Sequence, residues 1–178
     1  MDLIQTLRLR KSINEYSAKK IDLDTVGIML WAANGVNRED GRHTAPSAFN
    51  SQFINIYVAT DKAVYLYDSV EHSLLALVSG NIKDKIGIQE FVKTAPVILI
   101  MTASLKKLPA YAGGRSTRIT YAHANAGCIA QNIYLAAAAL NLGTRYIMFI
   151  NDKGLKYYLH LDNDELPLSL MPIGYPKQ

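Results

Sequence analysis

The chain has one cysteine, Cys128, so no intrachain disulfide can form. Its longest apolar run, Ile133–Leu140, spans eight residues, far short of the ~20 that cross a bilayer. Basic runs stop at the pairs Lys19-Lys20 and Lys106-Lys107, and the net charge is only +4. That balance excludes a strongly basic nucleic-acid surface, and no nucleic-acid or membrane partner is expected. The start, Met1-Asp2-Leu3-Ile4-Gln5, shows neither a basic nor an apolar leader region. Together with the lone thiol this leads us to expect a cytoplasmic protein. No G-x-G-x-x-G, Walker A or nucleophile-elbow pattern occurs. His43, His72, His123 and His160 are scattered without a His-x-x-His or His-x-x-x-His pair, so no metal site is expected. Carboxylates cluster only at Asp162, Asp164 and Glu165, a pattern that reads as a solvated turn. An enzyme without a visible acid, base or nucleophile leaves its chemistry to a cofactor.

What is present suits one globular domain. The 178 residues fit a single domain spanning 1–178, and 49% hydrophobic with 19% charged residues excludes disorder and coiled coil. Residues 91–151 carry no Asp or Glu but include Lys93, Lys106, Lys107, Arg115, Arg118 and Arg145. Such a stretch favours an anionic ligand through its field, although a buried apolar centre produces the same pattern. Cys128 lies among Ala126, Gly127, Ile129 and Ala130, where a small buried hydrophobe is expected.

Periodicity predicts a short helix over 2–9 and an extended stretch over 10–16. A helix capped by Asp22 or Asp24 and ended by Gly35 follows, then a polar loop over 36–52. Strands are expected at 53–60, 64–67 and 74–78 as an antiparallel meander, at 96–102 buried on both faces, and at 144–149 and 168–173. Further helices are expected at 81–92, 120–142 and 152–159. From Ala126 to Leu140 the long helix is apolar all round apart from Gln131 and Asn132. It should therefore be buried on every side, either centrally or against a second subunit. The fold class is α+β.

Four segments could hold a cofactor. In Arg10-Lys11-Ser12-Ile13-Asn14-Glu15-Tyr16, an extended chain places the donors Arg10, Ser12, Asn14 and Tyr16 on one side, and guanidinium plus hydroxyl suits a phosphate. A basic helix end before a polar edge strand has the same appearance. Ala45-Pro46-Ser47-Ala48-Phe49-Asn50-Ser51-Gln52 packs small donors into a turn, which can grip a planar polar ring or be an ordinary Pro-Ser turn. Gln131 to Thr144 is an alanine-rich helix with Gly143 as its cap, suited to close packing. Met171-Pro172-Ile173-Gly174-Tyr175-Pro176-Lys177 ends in a cation that is either solvated or a phosphate ligand.

In this order and spacing, the Arg-Lys-Ser start, the Pro-Ser-x-x-Asn-x-Gln loop, the Gln-Asn-x-x-Leu-Ala-Ala…Leu-Gly-Thr helix and the Gly-Tyr-Pro-Lys end resemble the nitroreductase family of FMN-dependent oxidoreductases. The likeness extends to its short members, including the branch related to thiazoline and oxazoline peptide oxidases. The resemblance implies a central mixed, mostly antiparallel sheet flanked by helices. It also implies an interlocked homodimer with two FMN sites at the subunit interface. Arg10 and Ser12, with Lys11 beside them, match the phosphate ligands, and Asn14 follows on the same segment. Pro46, Ser47, Ala48 and Asn50 match a loop lying against the flavin, typically the partner subunit's. Gln89 falls where an amide meets the ring, and Ile147, Met148 and Phe149 match the segment whose backbone N–H faces flavin N5. Lys177 sits at a late phosphate cation.

Two positions depart from the pattern. Asn14 stands where a cation is usual, and no further cation follows Lys177, so weaker FMN retention is expected. The implied activity is FMN-dependent oxidation of NADH or NADPH. The acceptor would be a small molecule such as a nitroaromatic or quinone, with ping-pong hydride transfer through flavin N5. Two alternatives stay open: an FMN-dependent dehydrogenase of a peptide heterocycle or other specific metabolite without nicotinamide, and a non-catalytic flavin carrier.

Overall fold

The computed structural model describes residues 2–177. Its frame is a six-stranded sheet in the order β3-β2-β1-β4-β6-β5, built from β1 (Ile54–Ala59), β2 (Ala63–Asp68), β3 (Ser73–Ser79), β4 (Val97–Ser104), β5 (Gly143–Thr144) and β6 (Glu165–Gly174). Every strand pair is antiparallel. The one parallel pairing among the described residues is the bridge between Ser12 and Thr144. All eight residues of β4 are buried, as its unbroken apolar run predicts for a strand covered on both faces.

Alternation along β4 splits the core. Leu99, Met101 and Ala103 pack with Met29, Leu30, Ile129 and Ile133, which come from α2 (Leu23–Asn34) and α5 (Arg115–Ala139). Ile98 and Ile100 pack on the other face with Ile86, Val92, Leu155 and Leu170. Those side chains come from α3 (Lys83–Ile86), α4 (Glu90–Thr94), α6 (Asp152–Tyr158) and β6. The helix α1 (Leu3–Leu9) is capped by Asp2, whose carboxylate accepts from Gln5 N–H at 2.8 Å. Asp22 caps α2 through Thr25 N–H at 2.7 Å, and Gly35 ends it. None of these helices is long and apolar enough to cross a membrane.

Several sequence expectations change. The single helix expected over 81–92 breaks in two at Gly87, where a Cβ would lie 2.4 Å from Val92 Cγ1. The break lets Lys83, only 2% exposed, donate to Ala95 O at 2.7 Å and pair with Asp61. Helix α5 starts at Arg115, ahead of the expected 120, because the Arg118 guanidinium gathers the carbonyls of Leu105, Leu108, Pro109, Ala110 and Gly113 at its base. The strand expected over 144–149 stops at Thr144, because Tyr146 N–H turns to the Tyr134 hydroxyl at 2.9 Å. Glu165 is not in a solvated turn. It opens β6, and its Oε1 accepts from Asn55 at 2.8 Å, Tyr57 at 2.9 Å and Thr102 at 2.5 Å.

Cys128 is exposed rather than buried, and α5 is covered on one side only. Ala126, Ile129, Ala130, Ile133 and Ala137 face the core, while Ala124, Gly127, Cys128 and Gln131 are open. Composition alone cannot separate a face covered by the same chain from one left for another.

Candidate functional site

The segment after α1 is strapped to the end of α5. Ile13 N–H donates to Thr144 O at 3.1 Å, and Ser12 bridges Thr144. The fit is close because Gly143 has no side chain: a Cβ there would stand 2.0 Å from Ile13 Cδ1. Arg10 lies with its guanidinium carbon 5.2 Å from the centre of the Tyr134 ring. Ser12 Oγ lies 2.7 Å from the Tyr134 hydroxyl oxygen, which also accepts from Tyr146 N–H. Lys11 borders a hollow of about 240 Å³ with Tyr134, Asn141 and Pro176. Lys177 N–H donates to Glu15 O at 3.2 Å, which brings the chain's last described cation beside the strap. Among the described residues, no carboxylate pairs with Arg10, Lys11 or Lys177 within 4.0 Å. Their charge remains available to an anion, with Ser12 as an added hydroxyl.

A second hollow of about 400 Å³ is lined by Asn14 of the strap with Gln89, Phe91, Arg145, Met148 and Phe149. Gln89 Nε2 donates to Phe149 O at 3.2 Å, while its Oε1 is buried without a partner. Such an orphan acceptor is costly unless a ligand or water meets it. Ile147 N–H is tied to Leu170 O at 3.0 Å and Asn151 N–H to Ile86 O at 3.1 Å. Between them, the Met148 and Phe149 N–H groups have no backbone partner among the described residues, and both side chains are exposed. Arg145 Nη1 donates to Asn14 Oδ1 at 2.8 Å. Thr144 Oγ1 is also buried without a partner.

Thus Arg10, Lys11, Ser12, Asn14, Gln89, Ile147, Met148, Phe149 and Lys177 come to one end of α5. Pro46, Ser47, Ala48 and Asn50 do not. Their loop is held at the helix's other half, where Asn125 Nδ2 donates to Pro46 O at 2.5 Å. Asn125 and Tyr134 are about 13 Å apart along the helix axis. The loop backbone is left-handed at Phe49 (φ 56°), Asn50 (φ 52°) and Gln52 (φ 44°). Phe49 is held edge-on to Tyr111 and Tyr121, with ring centres 5.4 and 5.7 Å away. Strain of this kind, ~1–3 kcal/mol per residue, persists only where the surroundings impose it.

Sequence reasoning missed Phe91, Tyr134, Thr144 and Arg145 as site residues. Arg145 carried a signal, as one of the few cations in the carboxylate-free stretch. Tyr134 looked like any packing residue on an apolar helix.

The model of the Nitroreductase family matches residues 7–175. A protein of Methanocaldococcus jannaschii, provisionally named a nitroreductase, is 32% identical over 175 residues, covering 93% of this chain and 86% of its own. The crystal structure of a Ralstonia eutropha protein, also provisionally named a nitroreductase, superposes with a TM-score of 0.93 at 34% identity. It covers 100% of this chain and 84% of that one. The Escherichia coli microcin synthetase McbBCD complex, with truncated pro-MccB17 bound, shares the fold at a TM-score of 0.79 and 18% identity, over 92% of this chain and 68% of that one. With the family model spanning almost its whole length, and a sheet and helices that superpose on such a relative, the chain belongs to the nitroreductase family and is an oxidoreductase.

Proposed function

We propose that this chain is a single FMN-binding domain that oxidises NADH or NADPH and reduces a small-molecule acceptor, such as a nitroaromatic or quinone, in the cytoplasm. One observation carries the reading. Arg10, Lys11 and Lys177, which no carboxylate pairs, lie on or beside the strap, and the same strap's Asn14 lines a hollow walled by Gln89, whose Oε1 has no partner. An anionic tail and a polar ring joined in one molecule match the cations and the hollow.

When bound, FMN supplies hydride transfer at its N5. Arg10, Lys11, Ser12 and Lys177 hold the phosphate by charge-assisted hydrogen bonds. Gln89, on the wall of the hollow and held by its bond to Phe149 O, would offer its amide to the ring. The Met148 and Phe149 N–H groups would be the backbone donors for the ring's polar edge, and their exposed side chains would cover it from water. No side chain has to abstract a proton from carbon, so the lack of an acid–base pair is consistent with this chemistry.

The reading includes a homodimer. The open face of α5 carries the small residues Ala124, Gly127 and Cys128, which let another helix approach closely. The loop with Pro46, Ser47, Ala48 and Asn50 is held at the other half of α5 from the strap, and by the family resemblance a second copy supplies it.

The test is the visible spectrum of the purified protein, chromatography of any released flavin, and nicotinamide oxidation by the loaded protein. We expect a yellow protein that releases FMN and oxidises NADH or NADPH in the presence of broad acceptors. A colourless protein with no FMN affinity contradicts the reading. A loaded protein reduced by neither nicotinamide points instead to a nicotinamide-free dehydrogenase or a flavin carrier.

A further inference from the structure

The strap carries the cations Arg10 and Lys11 but a neutral amide at Asn14. In space the charge is present all the same. Arg145, 131 residues along the chain, donates through Nη1 to Asn14 Oδ1 at 2.8 Å. Its guanidinium carbon lies 5.8 Å from the centre of the Phe91 ring. Arg145 therefore shares the hollow that holds the orphan Gln89 amide and the free Met148 and Phe149 N–H groups. It sits at the ring end of the site, whereas Arg10, Lys11 and Lys177 mark the phosphate end.

The identity of the partner matters. A carboxylate would orient the guanidinium but also neutralise it. An amide orients it through a hydrogen bond and leaves its charge in place. No carboxylate pairs with Arg145 within 4.0 Å among the described residues, and none occurs anywhere in 91–151. The geometry points to a cation held in this hollow: we propose that Arg145, aimed by Asn14, supplies positive charge that favours reduced over oxidised flavin. Asn14 is then a positioning residue and not a defect. This assignment rests on the FMN reading above.

The experiment compares the two-electron reduction potential of the FMN-loaded wild type with Arg145→Gln, Arg145→Lys and the double variant Asn14→Lys/Arg145→Gln. Affinity for oxidised FMN is measured alongside. In Arg145→Gln, affinity for reduced FMN falls about 10- to 100-fold relative to oxidised FMN, a drop of ~30–60 mV at ~30 mV per tenfold for two electrons. Arg145→Lys falls in between. Restoring the charge from the other side, in the double variant, recovers most of the potential. A potential unchanged in Arg145→Gln, or equal losses of oxidised and reduced affinity, overturns the assignment and leaves FMN binding intact as a conclusion. A wild type that binds no FMN overturns the FMN reading itself, and that result is visible before any variant is made.

Discussion

The two ends of α5 do different work. At the Tyr134 end, a strap from the N-terminus, the turn after Thr144 and the C-terminal tail converge on unpaired cations and orphan amides. At the Asn125 end, a strained loop carries an aromatic wedge and small donors but no cation of its own. Each end holds half of what the family resemblance assigns to one flavin, and the helix between them has an uncovered face. On the proposed reading, the helix is a spacer that separates complementary halves so that neither closes on itself.

The largest expected effect comes from a charge on the open face. If the proposed dimer forms through that face, Cys128→Glu should leave the protein monomeric and without retained flavin while the circular dichroism of the fold stays unchanged. A flavin-loaded dimer of that variant would separate the two ends from any role for a second copy. The covered face should respond in the opposite manner. Ile133→Ala removes a fully buried side chain and should lower unfolding free energy by ~2–5 kcal/mol in denaturant melts. A loss below that scale would mean the two faces of α5 are not energetically distinct.

At the Tyr134 end alone, Arg10→Ala should weaken FMN binding by ~1.5–3 kcal/mol, the scale of a lost charged hydrogen bond. A flavin titration indistinguishable from wild type would remove the phosphate assignment. The smallest effect belongs to the loop that leads to the Asn125 end. His43 is buried with Nδ1 unpartnered, and burial, aided by Lys107, pushes its pKa below the ordinary value of 6.5. The unfolded chain then takes up a proton that the folded one resists. The stability from this group is present above about pH 6.5 and is lost as pH falls toward the folded pKa. Thermal melts should show a shallower acid slope in His43→Gln than in wild type, and equal slopes would contradict the claim.

The sheet was legible where one physical demand dominates. Residues 96–101 are apolar without a break because β4 is covered on both faces, and no helix of that length needs such a run. The strap was legible because alternation places Arg10, Ser12 and Asn14 together. The Arg145–Asn14 bond was not, since it depends on Tyr146 leaving the sheet and so rotating Arg145 toward a segment far away in the chain. The burial of Lys83 depended likewise on distant partners, Asp61 and the Ala95 carbonyl. Glu165 looked solvated because its three donors come from β1 and β4, more than sixty residues away.

The central claim is that each flavin site joins the Tyr134 end of one chain to the Asn125 end of another. Complementation tests it most directly. Arg10→Ala breaks the first half, and Pro46→Trp places a bulky ring on the exposed start of the loop in the second. Each homodimer alone should hold FMN weakly. Heterodimers isolated after co-expression with two different tags should hold one FMN per dimer at wild-type affinity, because one of their two sites combines both intact halves. Heterodimers as defective as their parents, or a monomer that binds FMN at full strength, would contradict it.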